Sequence, residues 1–167
     1  MTFHSTRPVD VLFDAARRGD LTLLKQLIDE GVDVNEPGPR GFSPLIIATY
    51  NNQPKAARML LDAGANVNAQ DQAGNTALMG QCFNGYEGIA ELLLEYGADL
   101  DLQNGSGGTA LMFATMYGRN NMVKFMLEHG ANREIRDARG LTAHQMAAQV
   151  GNEEALKLFE ASTESTT

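Results

Sequence analysis

Asp71-Gln72-Ala73-Gly74-Asn75-Thr76-Ala77-Leu78, continued through Leu92-Leu93-Leu94-Glu95-Tyr96-Gly97-Ala98-Asp99, is the stretch from which the rest of the chain can be read. Gly74 marks a turn. Thr76, two residues later, is a helix N-cap, because its side-chain oxygen accepts a backbone N–H that the first helical turn leaves unpaired. A short apolar helix follows and Gly85 breaks it. Ile89-Ala90-Glu91-Leu92-Leu93-Leu94 then resumes with apolar residues at helical spacing. Gly97 ends this second helix at a position where a left-handed backbone favours glycine.

The same order of signals returns along the chain. Gly41, Gly74, Gly107 and Gly140 are spaced by 33, as are Gly31, Gly64, Gly97 and Gly130. Gly19, Asn52, Gly85, Gly118 and Gly151 form a third ladder with that step. Three interleaved ladders of one period mark a repeat architecture. Ser43, Thr76, Thr109 and Thr142 are the corresponding N-caps, and Pro44 falls at a first helical position, where its missing N–H costs nothing.

These residues resemble the ankyrin repeat, whose pattern runs D-x-x-G-x-T-P-L-H-x-A-A, then a glycine, then L-L-L-x-x-G-A-x-V-N. The resemblance covers about residues 11–161 and implies an all-α ankyrin-repeat solenoid of helix-turn-helix units joined by β-turn/hairpin loops. The expected organisation is a flexible segment over 1–10 and a single domain over 11–161, followed by a disordered tail over 162–167. Within the domain, a partial repeat over 11–37 precedes full repeats over 38–70, 71–103 and 104–136, and a capping repeat over 137–161 closes it. The end repeats should carry polar outer faces: Arg17, Arg18, Lys25 and Glu30 at one end, Glu153, Glu154, Lys157 and Glu160 at the other.

Composition narrows the function. Of 167 residues, 43% are apolar, enough for a packed core, and a net charge of −8 opposes binding to nucleic acid or an anionic membrane while favouring a partner with a basic surface. A single cysteine, Cys82, excludes an internal disulfide, and no signal-like segment opens the chain, so the expected compartment is the cytoplasm.

The ankyrin resemblance implies a protein-binding surface built from turn tips and the exposed ends of first helices. At the tips stand Arg40, Phe42, Gln72, Asn75, Ser106, Gly108, Arg139 and Leu141. At the helix ends stand Tyr50, Asn51, Phe83, Asn84, Met116, Tyr117, Gln149 and Val150. Tyr, Phe, Met and Arg are enriched at interface cores, so Tyr50, Phe83, Met116 and Tyr117 form either a partner-binding stripe or the packing between neighbouring first helices. Ile47, Phe113 and Met146 read as core. The expected function is that of a monomeric adaptor, inhibitor or antitoxin-like regulator, similar to stand-alone bacterial ankyrin proteins and without enzymatic activity. The rivals are a self-associating structural protein and an enzyme with a site near Gln81 and Cys82.

The second full repeat departs from the family pattern. Gln81 occupies the place of Ala48, Ala114 and Ala147, beside Gly80, which is read as making room for it. The family histidine is replaced by Ile46, Met79, Met112 and Gln145, which puts its turn-stapling hydrogen bond in doubt. Other chemistry is not indicated. His4, His129 and His144 lie in different units and suggest no metal site, with His144 read as a core residue, and Cys82 reads as a small core residue. The glycine-rich Asn104–Thr109 lacks the Gly-Lys-Ser/Thr ending of a phosphate loop. No cofactor is expected.

Overall fold

The computed structural model describes residues 7–164. Each unit contributes two antiparallel helices: α1 (Pro8–Arg18) and α2 (Leu21–Asp29), α3 (Pro44–Tyr50) and α4 (Pro54–Asp62), α5 (Ala77–Asn84) and α6 (Glu87–Glu95), α7 (Ala110–Met116) and α8 (Asn120–Glu128), α9 (Ala143–Val150) and α10 (Glu153–Glu164). The odd-numbered helices pack side by side in one row and the even-numbered ones in a second. No strand occurs among the described residues. Helix α1 begins within the segment expected to be flexible, and α10 continues to Glu164, so residues 162–164 are helical rather than disordered. The remainder of both end segments, 1–6 and 165–167, lies outside the described residues.

The helix boundaries follow from their caps. Ser43, Thr76, Thr109 and Thr142 each accept the N–H three residues on, at 3.1–3.3 Å. Three of the four positions that lack the family histidine still close a reciprocal bond, Ile46 being the exception. The N–H groups of Thr76 and Thr109 donate to the sulfur of Met79 and Met112 at 3.4 Å, and that of Thr142 donates to Gln145 Oε1 at 2.9 Å. Other side chains staple the turns. Gln70 Nε2 donates to the carbonyls of Gly74 and Gln103, and Gln103 Nε2 donates to those of Gly107 and Arg136, tying each turn to the following unit.

One core runs through all units. Leu60, Leu93, Met126 and Phe159 occupy one register position in the second helices and are fully buried. Leu45, Leu78 and Leu111 occupy the matching position in the first helices and are also buried. His144 shares that register but is exposed, contrary to its reading as core. Among the described residues no further helix packs over it, and its ring instead lies on Phe159 at 5.3 Å.

Turn tips stack through backbone bonds: Gln72 N–H to the Arg40 carbonyl, Gly105 to Ala73 and Ala138 to Ser106, at 2.8–3.0 Å. The glycine ladder makes this approach possible. Gly74 has φ +83° and a Cβ there would lie 2.8 Å from Gly105 N, whereas Gly140, with φ +81°, faces open space. Gly140→Ala should therefore cost only the left-handed strain of about 1–2 kcal/mol. Gly74→Ala should cost more, because it also forces two turns apart. Urea denaturation of both variants measures the difference, and equal losses would refute the close-approach account.

Candidate functional site

The first helices α3, α5, α7 and α9 contain no Asp, Glu, Lys or Arg, so the acidic excess lies on the second helices and loops. Between these first helices and the turn tips runs a groove. Its larger cleft, ≈ 440 Å³, is walled by Phe42, Ile47, Tyr50, Phe83, Phe113 and Tyr117, with Met79 and Thr76 beneath and Asp71 and Asn75 on the turn side. A neighbouring cleft of ≈ 330 Å³ shares Phe113 and Tyr117 and adds Met112, Met116, Met146 and the Asp137–Arg139 tip.

The aromatic rings form a continuous strip. Tyr50 stacks on Phe83 with centroids 6.4 Å apart, Phe83 meets Tyr117 edge-on at 4.7 Å, and Tyr117 stacks on Phe113 at 6.0 Å. The first two contacts span neighbouring first helices and the third lies within one unit, yet Tyr50 and Tyr117 stay 49% and 50% exposed. The strip therefore packs between units and faces solvent at once. Met116 is also exposed but lines the second cleft instead.

The depth of the cleft has a local cause. Ile47, Gly80, Phe113 and Met146 share one register position. Met146 is buried, as a core reading requires, while Ile47 and Phe113 are partly buried: they pack against the core and also line the groove, so they serve both. At Gly80 the side chain is missing, and the void faces Tyr50 Cδ2, 3.6 Å from where a Cβ would stand. Gly80 thus opens the cleft rather than making room for Gln81.

Gln81 points inward. Its Nε2 donates to the Ala77 carbonyl at 3.2 Å, and its buried Oε1 has no partner among the described residues. A buried acceptor without a partner costs about 1–3 kcal/mol. Gln81→Met keeps the length and removes the amide, so it should raise stability by that order in thermal or urea unfolding. A loss of stability would show that the amide is satisfied.

The turns position the polar wall. Asp71, Asn104 and Asp137 share one register position, and each Oδ1 accepts two backbone N–H groups of its own turn at 2.8–3.1 Å. Asp137 also meets Arg139 Nε at 3.0 Å. Desolvation pushes the Asp137 carboxyl upward, but the Leu141 N–H and the Arg139 side chain and N–H outweigh it and hold the group below the ordinary carboxylate range.

Of the other residues read as partner-binding, Asn75 joins the main cleft and its Oδ1 accepts from Asn104 Nδ2 at 2.9 Å. Asn51 Nδ2 donates to the Ile47 carbonyl at 2.8 Å and Asn84 Nδ2 to the Tyr50 carbonyl at 3.2 Å, so both amides secure helix ends. Arg40 (φ +60°) and Gln72 stand exposed on the tips outside both clefts, and Leu141 packs against the core. The sequence reading missed Asp71, Met79 and Gly80 as cleft residues. The 33-residue register, with a glycine between Ile47 and Phe113, was the available signal for Gly80.

Catalytic chemistry finds little footing around Cys82. The thiol is fully buried and burial pushes its pKa up to about 12, so it carries no thiolate at neutral pH. His129 is held at a helix end by its Nδ1 contact with the Phe125 carbonyl at 2.7 Å. Among the described residues no three His, Cys, Asp or Glu side chains converge as metal ligands, and His4 lies outside those residues. No helix among them is long and apolar enough to cross a membrane.

Two comparisons bear on the whole chain. A family model described as "Ankyrin repeats (3 copies)" matches residues 12–104 and 82–165. No curated protein matches the chain.

Proposed function

The chain belongs to the ankyrin-repeat family, and from that membership we propose that it is a non-enzymatic, monomeric binding protein that seats a partner protein in the groove between its turn tips and first helices. Ankyrin repeats are generally protein–protein interaction modules. The observation that supports this use of the groove is the half-exposed strip Tyr50–Phe83–Tyr117 lying along an apolar cleft of ≈ 440 Å³. Water-exposed aromatic surface of this extent marks contact sites, and aromatic anchors in pockets contribute most of the affinity of an interface.

The partner-binding set comprises Phe42, Tyr50, Asn75, Phe83, Met116, Tyr117 and Arg139, flanked by Arg40, Gln72, Asn51, Asn84 and Leu141. Binding there acts by occupancy, as in an adaptor, an inhibitor or an antitoxin-like regulator working in the cytoplasm. The rings that meet a partner are the same ones that would close a homodimer, so oligomeric state is part of the test.

The test replaces Tyr50, Phe83 and Tyr117 together by alanine. The variant should melt within a few degrees of the parent, and affinity purification from the native cell should lose the proteins that the parent retains. Light scattering should give a monomer for both. A variant that unfolds, retains the same proteins, or changes a dimer into a monomer overturns the reading.

A further inference from the structure

Building on the groove as the binding face, we infer that the main cleft takes a linear peptide segment that inserts an apolar side chain between Tyr50, Phe83 and Tyr117 and places an adjacent lysine or arginine against Asp71. The argument starts from a difference among three equivalent turns. Asp71, Asn104 and Asp137 each serve their turn through one oxygen, Oδ1. Asn104 shows that the turn needs no negative charge. At Asp137 the charge is matched by Arg139. At Asp71 no ion pair forms among the described residues, and the side chain lines the cleft.

Among the described residues Asp71 is also the only formally charged side chain lining that cleft, and the other walls are largely apolar and aromatic. A carboxylate beside exposed aromatic faces favours a cation with an aliphatic stem, since the ring faces attract cations and the stem packs on them. Arg40, on the preceding tip, does not line the cleft. The net charge of −8 attracts basic segments over a longer range. The second cleft, its carboxylate already paired, lacks this preference, so the cation should sit at the Asp71 end.

The test pans a phage-displayed library of random linear peptides on the full-length protein and measures synthetic copies of the enriched peptides by fluorescence anisotropy. Enriched peptides should carry an apolar residue within two positions of Lys or Arg. Asp71→Asn, which keeps the Oδ1 acceptor that Asn104 uses and so the melting temperature, should weaken them by about tenfold. Replacing the peptide cation by norleucine should cause the same loss, and the two changes combined should add little more. Enriched peptides without a cation, indifference to Asp71→Asn, or no enrichment overturns the inference and leaves the groove reading intact. Peptides that bind the Tyr50/Phe83/Tyr117→Ala variant as well as the parent overturn the groove reading itself.

Discussion

Leu93→Ala should lower the unfolding free energy by about 2–5 kcal/mol, the range found when a fully buried leucine is truncated and its surroundings collapse only in part. Leu93 lies in the second helix of the middle unit and is 0% exposed. Alanine is the better helix former, so helix propensity opposes the loss and the whole deficit comes from packing. The middle unit has a neighbour on each side. In a one-dimensional array the stability of each unit rests on its interfaces, so a cavity here weakens the interfaces on both sides. Urea unfolding followed by circular dichroism should show a lower midpoint with little change in slope. A loss below about 1 kcal/mol would mean that the neighbours repack into the space.

The fold was legible because each unit repeats its local grammar. A threonine or serine two residues after a turn glycine, then an apolar run, then a breaker, are local signals, and the helices begin and end where they stand. The 33-residue register also shows which residues occupy equivalent places. It does not show what stands opposite them. Gln70 and Gln103 staple the turns by donating to carbonyls of the next unit, and backbone acceptors leave no mark in a sequence. The same limit explains His144, which inherits a core position in a unit on which no further helix packs among the described residues. The stripe of Tyr50, Phe83 and Tyr117 could be guessed from residue type, but its division between mutual packing and exposure depends on ring geometry. Ile47 and Phe113 looked like core because they are apolar at helical spacing. They pack on the core and also line the groove, and Gly80, between them in the register, leaves its place vacant.

Phe159→Ala tests the same register position at the end of the array, where the expected cost is about 3–5 kcal/mol. The position is held by leucine or methionine in the inner units, and a phenyl ring fills it here, 0% exposed although no further unit covers it among the described residues. His144 lies against the ring at 5.3 Å, and the Arg133 guanidinium sits 5.2 Å from its centroid. Arg133 also donates to the Phe159 carbonyl at 2.6 Å and to Ser162 Oγ, so one residue ties the preceding loop to the last helix. Removing the ring takes the packed face from under both side chains and leaves α10 held by Ala155, Leu156 and Leu158 and by the polar contacts of Arg133. The loss should therefore be local before it is global. Amide hydrogen exchange should rise first in α9 and α10, while α3–α6 keep their protection, in contrast to Leu93→Ala, which should weaken protection on both sides of the middle unit. If Phe159→Ala instead lowers protection evenly along the chain, the five units unfold as one cooperative block and the end unit is no weaker than the centre.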